Sequence, residues 1–327
     1  MKELLLFLSN YPHQQSDYLK LSALFEKVSD WDKLVKLINA HGIIALATYN
    51  IKEASLNHQI PEKPMKTLEN GLMQSIVRNS WLLEKWKEVN TILSHNGINH
   101  ILLKGMALEY TLYGSAGLRQ MSDNDILVEQ KNAMEAWNLL CKNGFKPTEP
   151  KSRLHKKIIF DISKHLPALY KDGYAVEIHT EKNLPFITLK ENERILDYCE
   201  KFTINETPAY KLKDNIHLQF LKNHFEQHAK AGECQLRTFA DLKLLDPSGK
   251  RSFPETFIYA PKQTHKLYFR KTHYKRAVMA VKKSRRIRFI LGDIFPSMKW
   301  MKKRYRCNTA CAILRYPIRM GKLLWFI

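Results

Sequence analysis

Between residues 98 and 128 the chain changes from helical to strand periodicity, and this change restricts the fold more than any other feature. Ile98 to Leu103 is a short apolar run, and Lys104-Gly105 follows it as a turn. Ile126 to Val128 ends a second strand pattern that begins near Asp123. A helical stretch and a glycine-containing loop lie between the two strands. Short strands that alternate with helices predict a small α/β core.

Helical periodicity dominates the segments on both sides of this core. The clearest example begins near Met65 and ends at Asn96-Gly97, with apolar residues at three- and four-residue spacings. Helical periodicity returns from Lys213 to Leu245 and continues in the tail. The predicted fold class is therefore α+β, with a small mixed β-sheet core between N-terminal and C-terminal helical regions.

Changes in periodicity and charge predict four regions. Residues 1–95 are helical, and residues 96–205 form the α/β core. Residues 206–250 form helices that pack on the core, and residues 251–327 form a basic, mainly helical tail.

Three further strand patterns lie within the predicted core. They cover residues 157–162, 166–170 and 174–179. Lys171-Asp172-Gly173 separates the last two and has the composition of a hairpin turn. The third strand has the sequence Tyr-Ala-Val-Glu-Ile-His and therefore places an acid, Glu177, in the sheet.

Two carboxylates stand at the start of the strand that ends at Val128. Asp123 and Asp125 lie two residues apart, so their side chains project from the same face of the strand. Carboxylates this close repel each other unless a cation lies between them, and such oxygen ligands suit Mg²⁺. A third acid would complete the site. Glu177 and Asp161, which lie on two later predicted strands, are the candidates.

The run LLKGMALEY…LYGSAGLRQMSDNDILV, followed by VEIH, resembles the uncharacterised nucleotidyltransferase family of the DNA polymerase beta-like superfamily. The core motifs carry the specific part of this resemblance. Weaker similarities extend it over most of the chain, at Trp31-Asp32, His41-Gly42, Leu236-Arg237 with Asp241, and Phe295-Pro296-Ser297.

This resemblance implies a nucleotidyltransferase core with a metal-dependent site. Asp123 and Asp125 would bind Mg²⁺, and Glu177 would complete a site that can hold one ion or two. Such ions would orient the α-phosphate of a nucleoside triphosphate (NTP) and stabilise the departing pyrophosphate. Glu177 could also accept the proton of the attacking hydroxyl.

Residues around the metal ligands are candidates for binding the nucleotide or the acceptor. By the same resemblance, Gly105 would let the triphosphate approach the backbone. Lys104 and Arg119 could supply positive charge to its phosphates. His165 and His179 flank the strands nearest the site and are candidate substrate contacts, although a structural, hydrogen-bonded role is the alternative.

The helical segment after the core contains two pairs at i,i+4 spacing. His224 and His228 have the spacing of paired metal ligands, but no HExxH pattern accompanies them, so zinc is not favoured. Arg237 and Asp241 are predicted to form an ion pair on one helix. That helix could also cover the site and contact the nucleotide or the acceptor.

The net charge of +21 is concentrated in the tail. Residues 251–327 contain 20 Lys and Arg but two acidic residues. Such a tail predicts an anionic partner, which could be RNA, a glycan or a membrane surface, with a solvated basic surface as the alternative. Residues 282–291 have the pattern of a basic amphipathic helix. Its apolar side would rest on a membrane or, more commonly, pack against its own domain.

Cysteine content and hydropathy predict the compartment. Five cysteines are an odd and sparse set that fits no disulfide framework and favours a reducing cytoplasm. No run has the composition of an export signal or the length of a membrane-spanning helix. A cytoplasmic location is therefore predicted, and the basic tail leaves peripheral association with a membrane open.

Together these features predict a Mg²⁺-dependent nucleotidyltransferase. It would transfer NMP from an NTP to a hydroxyl or phosphate of a small-molecule, sugar or glycan-linked acceptor. One alternative keeps this chemistry but uses RNA or protein as the acceptor. Another is a degenerate, non-catalytic module that binds a nucleotide or a partner. The intact acids favour catalysis, because clustered carboxylates are costly without a cation.

Overall fold

The structure is a computed structural model. It describes residues 1–13, 15–114, 116–156, 165–184, 186, 187, 189, 193–249, 252–262, 274, 275, 277–279 and 281–324.

In the described chain before the first strand, helices are the regular secondary structure, as the periodicity predicted. They are α1 (Lys2–Leu8), α2 (Gln15–Phe25), α3 (Trp31–Ala40), α4 (Ile44–Glu53) and α5 (Glu62–His95). Helix α5 begins slightly earlier than the predicted Met65 and ends at the predicted Asn96-Gly97. Gly97 has a φ of +68°, a left-handed conformation that glycine adopts at a helix end without strain.

The β-sheet contains seven strands. In chain order they are β1 (His100–Leu102), β2 (Asn124–Val128), β3 (Lys146–Pro147), β4 (Leu169–Lys171), β5 (Tyr174–His179), β6 (Cys199–Ile204) and β7 (Thr207–Leu212). Their spatial order is β3-β4-β5-β2-β1-β7-β6. Strand β2 is parallel to β5 and β1 is parallel to β7, while the other neighbours are antiparallel. The sheet is thus mixed, and the predicted α+β fold class is confirmed.

Two of the three strand patterns predicted after residue 150 lie within the described chain. Strand β5 has the predicted bounds, and β4 begins at Leu169 rather than at Leu166. The predicted turn joins them, with Asp172 and Gly173 at φ values of +51° and +84°. The pattern at 157–162, which includes Asp161, lies outside the described residues.

The hairpin of β6 and β7 was not predicted, and it extends the sheet past residue 205, where the sequence patterns end the core. Asn205 and Glu206 form its turn with φ values of +44° and +66°. Two-residue turns of this hand match the twist of the strands, but they usually contain glycine. Pro208 lies within β7, and a proline normally argues against a central strand. Because the turn contains no glycine and β7 contains a proline, sequence patterns do not identify this hairpin.

The remaining helices cover the sheet and continue into the tail. Those within the core are α6 (Lys104–Thr111), α7 (Ala133–Lys142) and the short α8 (Arg153–Lys156). Those after the sheet are α9 (Asp214–Lys230), α10 (Leu236–Leu245), α11 (Arg286–Ile294), α12 (Met298–Tyr305) and α13 (Thr309–Leu324). In the described part of the chain, no helix combines the length and apolar character needed to cross a bilayer.

His100 in β1 makes the stability of the fold depend on pH. It is buried and accepts a hydrogen bond from the indole N–H of Trp86, with 3.2 Å between the nitrogens. Burial lowers the pKa of His100 from 6.5 to about 4. The folded state therefore holds this ring neutral. Its contribution is complete above pH 6.5 and declines as the pH falls toward 4, because the unfolded chain binds the proton first.

We expect this histidine to reduce the free energy of unfolding by roughly 2–3 kcal/mol between pH 7 and pH 4. Urea unfolding at a series of pH values measures the change. His100→Gln, which keeps an acceptor for Trp86, should remove that share of the decline. His95→Gln on the exposed end of α5 is the matched control and should leave the decline intact. Equal pH profiles for the wild type and His100→Gln would contradict this explanation.

Candidate active site

The parallel pairing of β2 and β5 brings two of the predicted acids side by side. Asp125 lies opposite Glu177 in the register, and His179 follows two residues later on the same face of β5. One ligand atom from each of the three lies within 4.8 Å of the others. Among the described residues, this is the group of side chains with the spacing of a metal site. The three line a cleft with a cavity volume of about 510 Å³.

Asp125 is the most constrained carboxylate in this cleft. Its Oδ1 accepts hydrogen bonds from Lys104 Nζ and His179 Nε2, each at 2.7 Å. Burial by itself would raise the pKa of Asp125. The charge of Lys104 and the His179 hydrogen bond outweigh burial and hold the pKa below its ordinary range. Asp125 is therefore a buried, ionised acid.

Glu177 has the opposite electrostatic balance. Burial and the neighbouring charge of Asp125 raise the pKa of Glu177 above its ordinary value. Its Oε2 lies 3.4 Å from His165 Nε2 and 3.8 Å from His179 Nε2. The two predicted histidines thus contact the predicted acids directly. His179 positions Asp125, and His165 stands beside Glu177.

Asp123 lines the same cleft but stands apart from the group of three. It precedes the first paired residue of β2, is half-buried, and accepts a hydrogen bond from Ser122 Oγ at 3.0 Å. Asn124, between the two aspartates, lies on the opposite face and donates to Tyr174 Oη and Leu82 O. The predicted alternation of Asp123 and Asp125 is therefore present, and Asp125 is the one opposite Glu177.

These side chains fit a Mg²⁺ ion. The donors are carboxylate oxygens from Asp125 and Glu177, with Asp123 on the same side of the sheet, and Mg²⁺ prefers oxygen ligands. Burial and, after it, repulsion from Asp125 raise the pKa of Glu177, and a divalent cation between the two acids would relieve that repulsion. His179 fits the second role, since a nitrogen ligand suits Mg²⁺ poorly and its ring holds Asp125 in place.

The turn between β1 and α6 directs Lys104 toward the acids. Lys104 has a φ of +46°, which non-glycine residues rarely adopt, and its backbone N–H donates to His217 Nε2 at 3.3 Å. Gly105 follows, and a Cβ at this position would lie 2.5 Å from Arg119 Nη1 and 2.8 Å from Met121 Cγ. The glycine is therefore required by the close approach of the Arg119 guanidinium.

Arg119 is held by a buried ion pair with Asp241. The distances are 2.9 Å from Nε to Oδ1 and 2.8 Å from Nη2 to Oδ2, and the hydroxyl of Tyr113 donates to Oδ1 at 2.8 Å. The predicted ion pair between Arg237 and Asp241 is therefore wrong. The carboxylate pairs with an arginine from a distant loop instead of the one on its own helix.

Arg237 is left as a cation without a carboxylate partner among the described residues. It lies at the start of α10 and lines the cleft. Its Nη1 donates to Gln120 O at 2.8 Å and its Nη2 to Gln235 Oε1 at 3.1 Å, while its buried Nε has no acceptor in the described chain. Burial and the charge of Arg119 lower the pKa of Arg237. The sequence predicted that this helix could cover the site but also that Asp241 pairs with Arg237, so it did not identify this arginine as a cation of the cleft.

A row of rings on α9 lines the same cleft as the acids. Phe220, His224 and His228 lie at four-residue intervals, and all three line the cavity. The ring centroids of His224 and His228 are 4.3 Å apart, and those of Phe220 and His224 are 6.4 Å apart. Within the described residues, neither histidine belongs to a group with metal-site spacing. The i,i+4 pair is therefore part of an aromatic surface.

The site is thus a cleft in which a mixed sheet presents two facing acids beside lysine and arginine side chains. The model of the uncharacterised nucleotidyltransferase family matches residues 27–253. The chain belongs to this family, and its general activity is nucleotidyl transfer. The match includes every cleft residue named above and ends before most of the basic tail.

Comparisons with individual proteins add little beyond the family. No curated protein matches the chain. Among solved structures, it is similar to the crystal structure of an antigenic nucleotidyltransferase-like protein from Paracoccidioides brasiliensis. The identity is 14%, the alignment covers 62% of this chain and 86% of that one, and the TM-score is 0.33.

Proposed function

We propose that the protein transfers NMP from an NTP, with Mg²⁺, to a hydroxyl or phosphate of a small-molecule, sugar or glycan-linked acceptor. The observation that carries this proposal is the pairing of Asp125 with Glu177 across two parallel strands. These acids face a cleft of about 510 Å³, a size typical of small-molecule sites. Mg²⁺ held by Asp125 and Glu177, with Asp123 beside them, would supply charge neutralisation at the α-phosphate.

Two cations are suited to the phosphates of the donor. Lys104 lies beside Asp125 and lines the cleft, so its ammonium can contact a phosphate next to the carboxylates. Arg237 keeps an N–H donor that the described chain does not use, and among the described residues no carboxylate forms an ion pair with it, although Asp241 and Asp123 attract its charge. Buried cations are costly without a counter-charge, and a triphosphate provides one. Arg119 has the lesser role, because Asp241 already neutralises it.

The ring surface on α9 is suited to the base of the nucleotide. His224 and His228 lie side by side, with Phe220 at the buried end of the row. Any of the four bases can stack on such rings, because each has a flat aromatic face. The phosphates would then extend from α9 toward Lys104 and the acids on the sheet.

The transfer step requires one bond to form and one to break. The acceptor oxygen attacks the α-phosphorus, and the bond from that phosphorus to the bridging oxygen of the β-phosphate breaks, releasing pyrophosphate. Where the attacking group is a hydroxyl, Glu177 would accept its proton, because this acid lies opposite Asp125 in the same cleft. His179 would keep Asp125 oriented throughout. No covalent intermediate with the protein is required.

Calorimetric titration with the four NTPs in Mg²⁺ tests this proposal, and we expect at least one to bind. Arg237→Gln should weaken that binding by about tenfold to a hundredfold, since one charge-assisted contact with phosphate is lost. Arg194→Gln is the matched control, because Arg194 pairs with Glu129 outside the cleft and should not affect binding.

The two parts of this proposal fail separately. A folded wild type that binds no NTP would contradict nucleotidyl transfer and favour a non-catalytic module. Normal affinity in Arg237→Gln, with binding intact in the wild type, would contradict only the assignment of this arginine to the phosphates.

A further inference from the structure

Helix α11 presents an apolar stripe to solvent. Ile287, Leu291 and Phe295 follow each other at four-residue intervals, so they lie along one side of the helix and its end. Ile287 is 73% exposed and Phe295 is 55% exposed. The buried residues of this helix, Gly292 and Asp293, lie on another side. The sequence pattern favoured packing of this apolar side against the protein, and the structure leaves it in solvent.

Helix α13 has the same arrangement. Ala312 is buried, and the hydroxyl of Tyr316 one turn later donates to Pro296 O, so this side of the helix packs on the chain. Leu314 and Ile318 lie roughly opposite that side, and Leu314 is 72% exposed. A helix in a water-soluble domain normally turns its apolar stripe inward. Here the stripe faces outward on two neighbouring helices.

The charge around these stripes has one sign. Between residues 281 and 324 the sequence contains one acid, Asp293, which is buried and pairs with Lys151. The same stretch contains many basic residues, at positions 282, 283, 285, 286, 288, 299, 302, 303, 304, 306, 315, 319 and 322. The outward surface therefore combines exposed aliphatic side chains with positive charge and no exposed carboxylate.

We propose that α11 and α13 dock the protein on an anionic phospholipid surface, with their outward apolar stripes in the acyl boundary and the flanking Lys and Arg at the head groups. Amphipathic helices bind membranes in this way, parallel to the surface and without crossing it. Each basic residue near an anionic leaflet adds attraction that salt screens. This proposal is independent of the nucleotidyl-transfer chemistry, because none of the described residues of the tail lines the cleft.

The exposed side chains fit lipid better than RNA. Binding to single-stranded RNA uses aromatic rings on which bases stack. Two rings of α12 are covered by cations: Lys151 and Arg319 lie over Trp300 at 5.3 Å and 4.7 Å, and Arg315 lies over Tyr305 at 5.5 Å. Phe295 is the exposed ring of the stripe on α11. The solvent-facing apolar groups on α13 are instead aliphatic, and acyl chains bury such groups favourably.

Vesicle flotation with the full-length protein tests the proposal. We expect binding to vesicles of phosphatidylcholine with added phosphatidylglycerol, and little binding to phosphatidylcholine alone. Leu314→Gln with Ile318→Gln should weaken binding by about a hundredfold, roughly tenfold for each aliphatic side chain. Lys302→Gln with Lys303→Gln should weaken it by about fivefold per charge and reduce its dependence on salt.

Controls make the result specific. Leu19→Gln is the matched substitution, because Leu19 is 81% exposed on α2 and lies outside the tail. Circular dichroism verifies that each variant is folded, which is expected because all substituted side chains are exposed. The proposal is overturned if anionic vesicles do not bind the wild type. It is also overturned if Leu314→Gln with Ile318→Gln leaves vesicle binding unchanged, or if it abolishes only RNA binding or self-association.

Discussion

Asp125→Asn is expected to reduce the rate of pyrophosphate release from the NTP by about a thousandfold or more. The carboxylate accepts hydrogen bonds from both Lys104 and His179, and it faces Glu177 across the sheet. Removing its charge removes several kcal/mol of stabilisation from a transition state that depends on the metal, which corresponds to roughly three orders of magnitude in rate. Release can be measured with water as the acceptor, so the natural acceptor is not needed.

Two further variants separate a catalytic loss from a structural one. Asp172→Asn is the matched control, because Asp172 lies in the exposed β4–β5 turn at positive φ, which asparagine also tolerates. It should retain the wild-type rate. His179→Gln should slow release by about tenfold to a hundredfold, as residues that orient a metal ligand do. Full activity of a folded Asp125→Asn protein would contradict the assignment of this site.

The second large effect concerns stability. Asp241→Ala should reduce the free energy of unfolding by about 3–5 kcal/mol, because it leaves the guanidinium of Arg119 buried without its counter-charge. The hydroxyl of Tyr113 would lose its acceptor in the same variant. Urea unfolding measures the loss. Glu226→Ala, in the exposed i,i+4 pair with Lys230 on α9, is the control and should cost less than about 0.5 kcal/mol.

A double variant tests the cause of that loss. Replacing both partners, with Arg119→Met and Asp241→Leu, removes the unpaired charge along with the ion pair. Buried ion pairs exchanged for apolar pairs often cost little, so the double variant should be more stable than Asp241→Ala alone. If the loss in the double variant equals the sum of the losses in Arg119→Met and Asp241→Leu alone, the ion pair is not the reason for the effect. The same variant should also alter NTP binding, because Arg119 packs against Gly105 in the cleft.

Local periodicity was sufficient to predict the strands that carry the acids. Alternation along β2 puts Asp123 and Asp125 on one face, and the composition of residues 174–179 identifies β5 as a strand. The register between these strands is a long-range property. No local pattern predicts that Glu177, rather than a neighbouring residue, lies opposite Asp125. The hydrogen bond from His179 to Asp125 depends on the same register.

The ion pairs of the site depend on tertiary contacts that helix rules do not contain. An i,i+4 pair such as Arg237 with Asp241 gains a few tenths of a kcal/mol on a solvated helix. Arg119 forms a buried, bidentate ion pair with the same carboxylate, and this contact is far stronger. The stronger partner comes from the loop before β2, and the weaker one becomes a cation of the cleft. The exposed stripes of α11 and α13 have the same explanation: periodicity predicts an amphipathic helix but not which side packs.

The measurement that tests the central claim most directly follows the fate of two phosphorus labels. The wild type is incubated with Mg²⁺ and an NTP labelled at the α-phosphate or, in parallel, at the γ-phosphate, with a cell extract as the source of acceptor. We predict that the α-label enters new material while the γ-label leaves as pyrophosphate, and that EDTA or Asp125→Asn prevents both. Transfer of the γ-label, or α-label transfer that persists in Asp125→Asn, would contradict nucleotidyl transfer at this cleft.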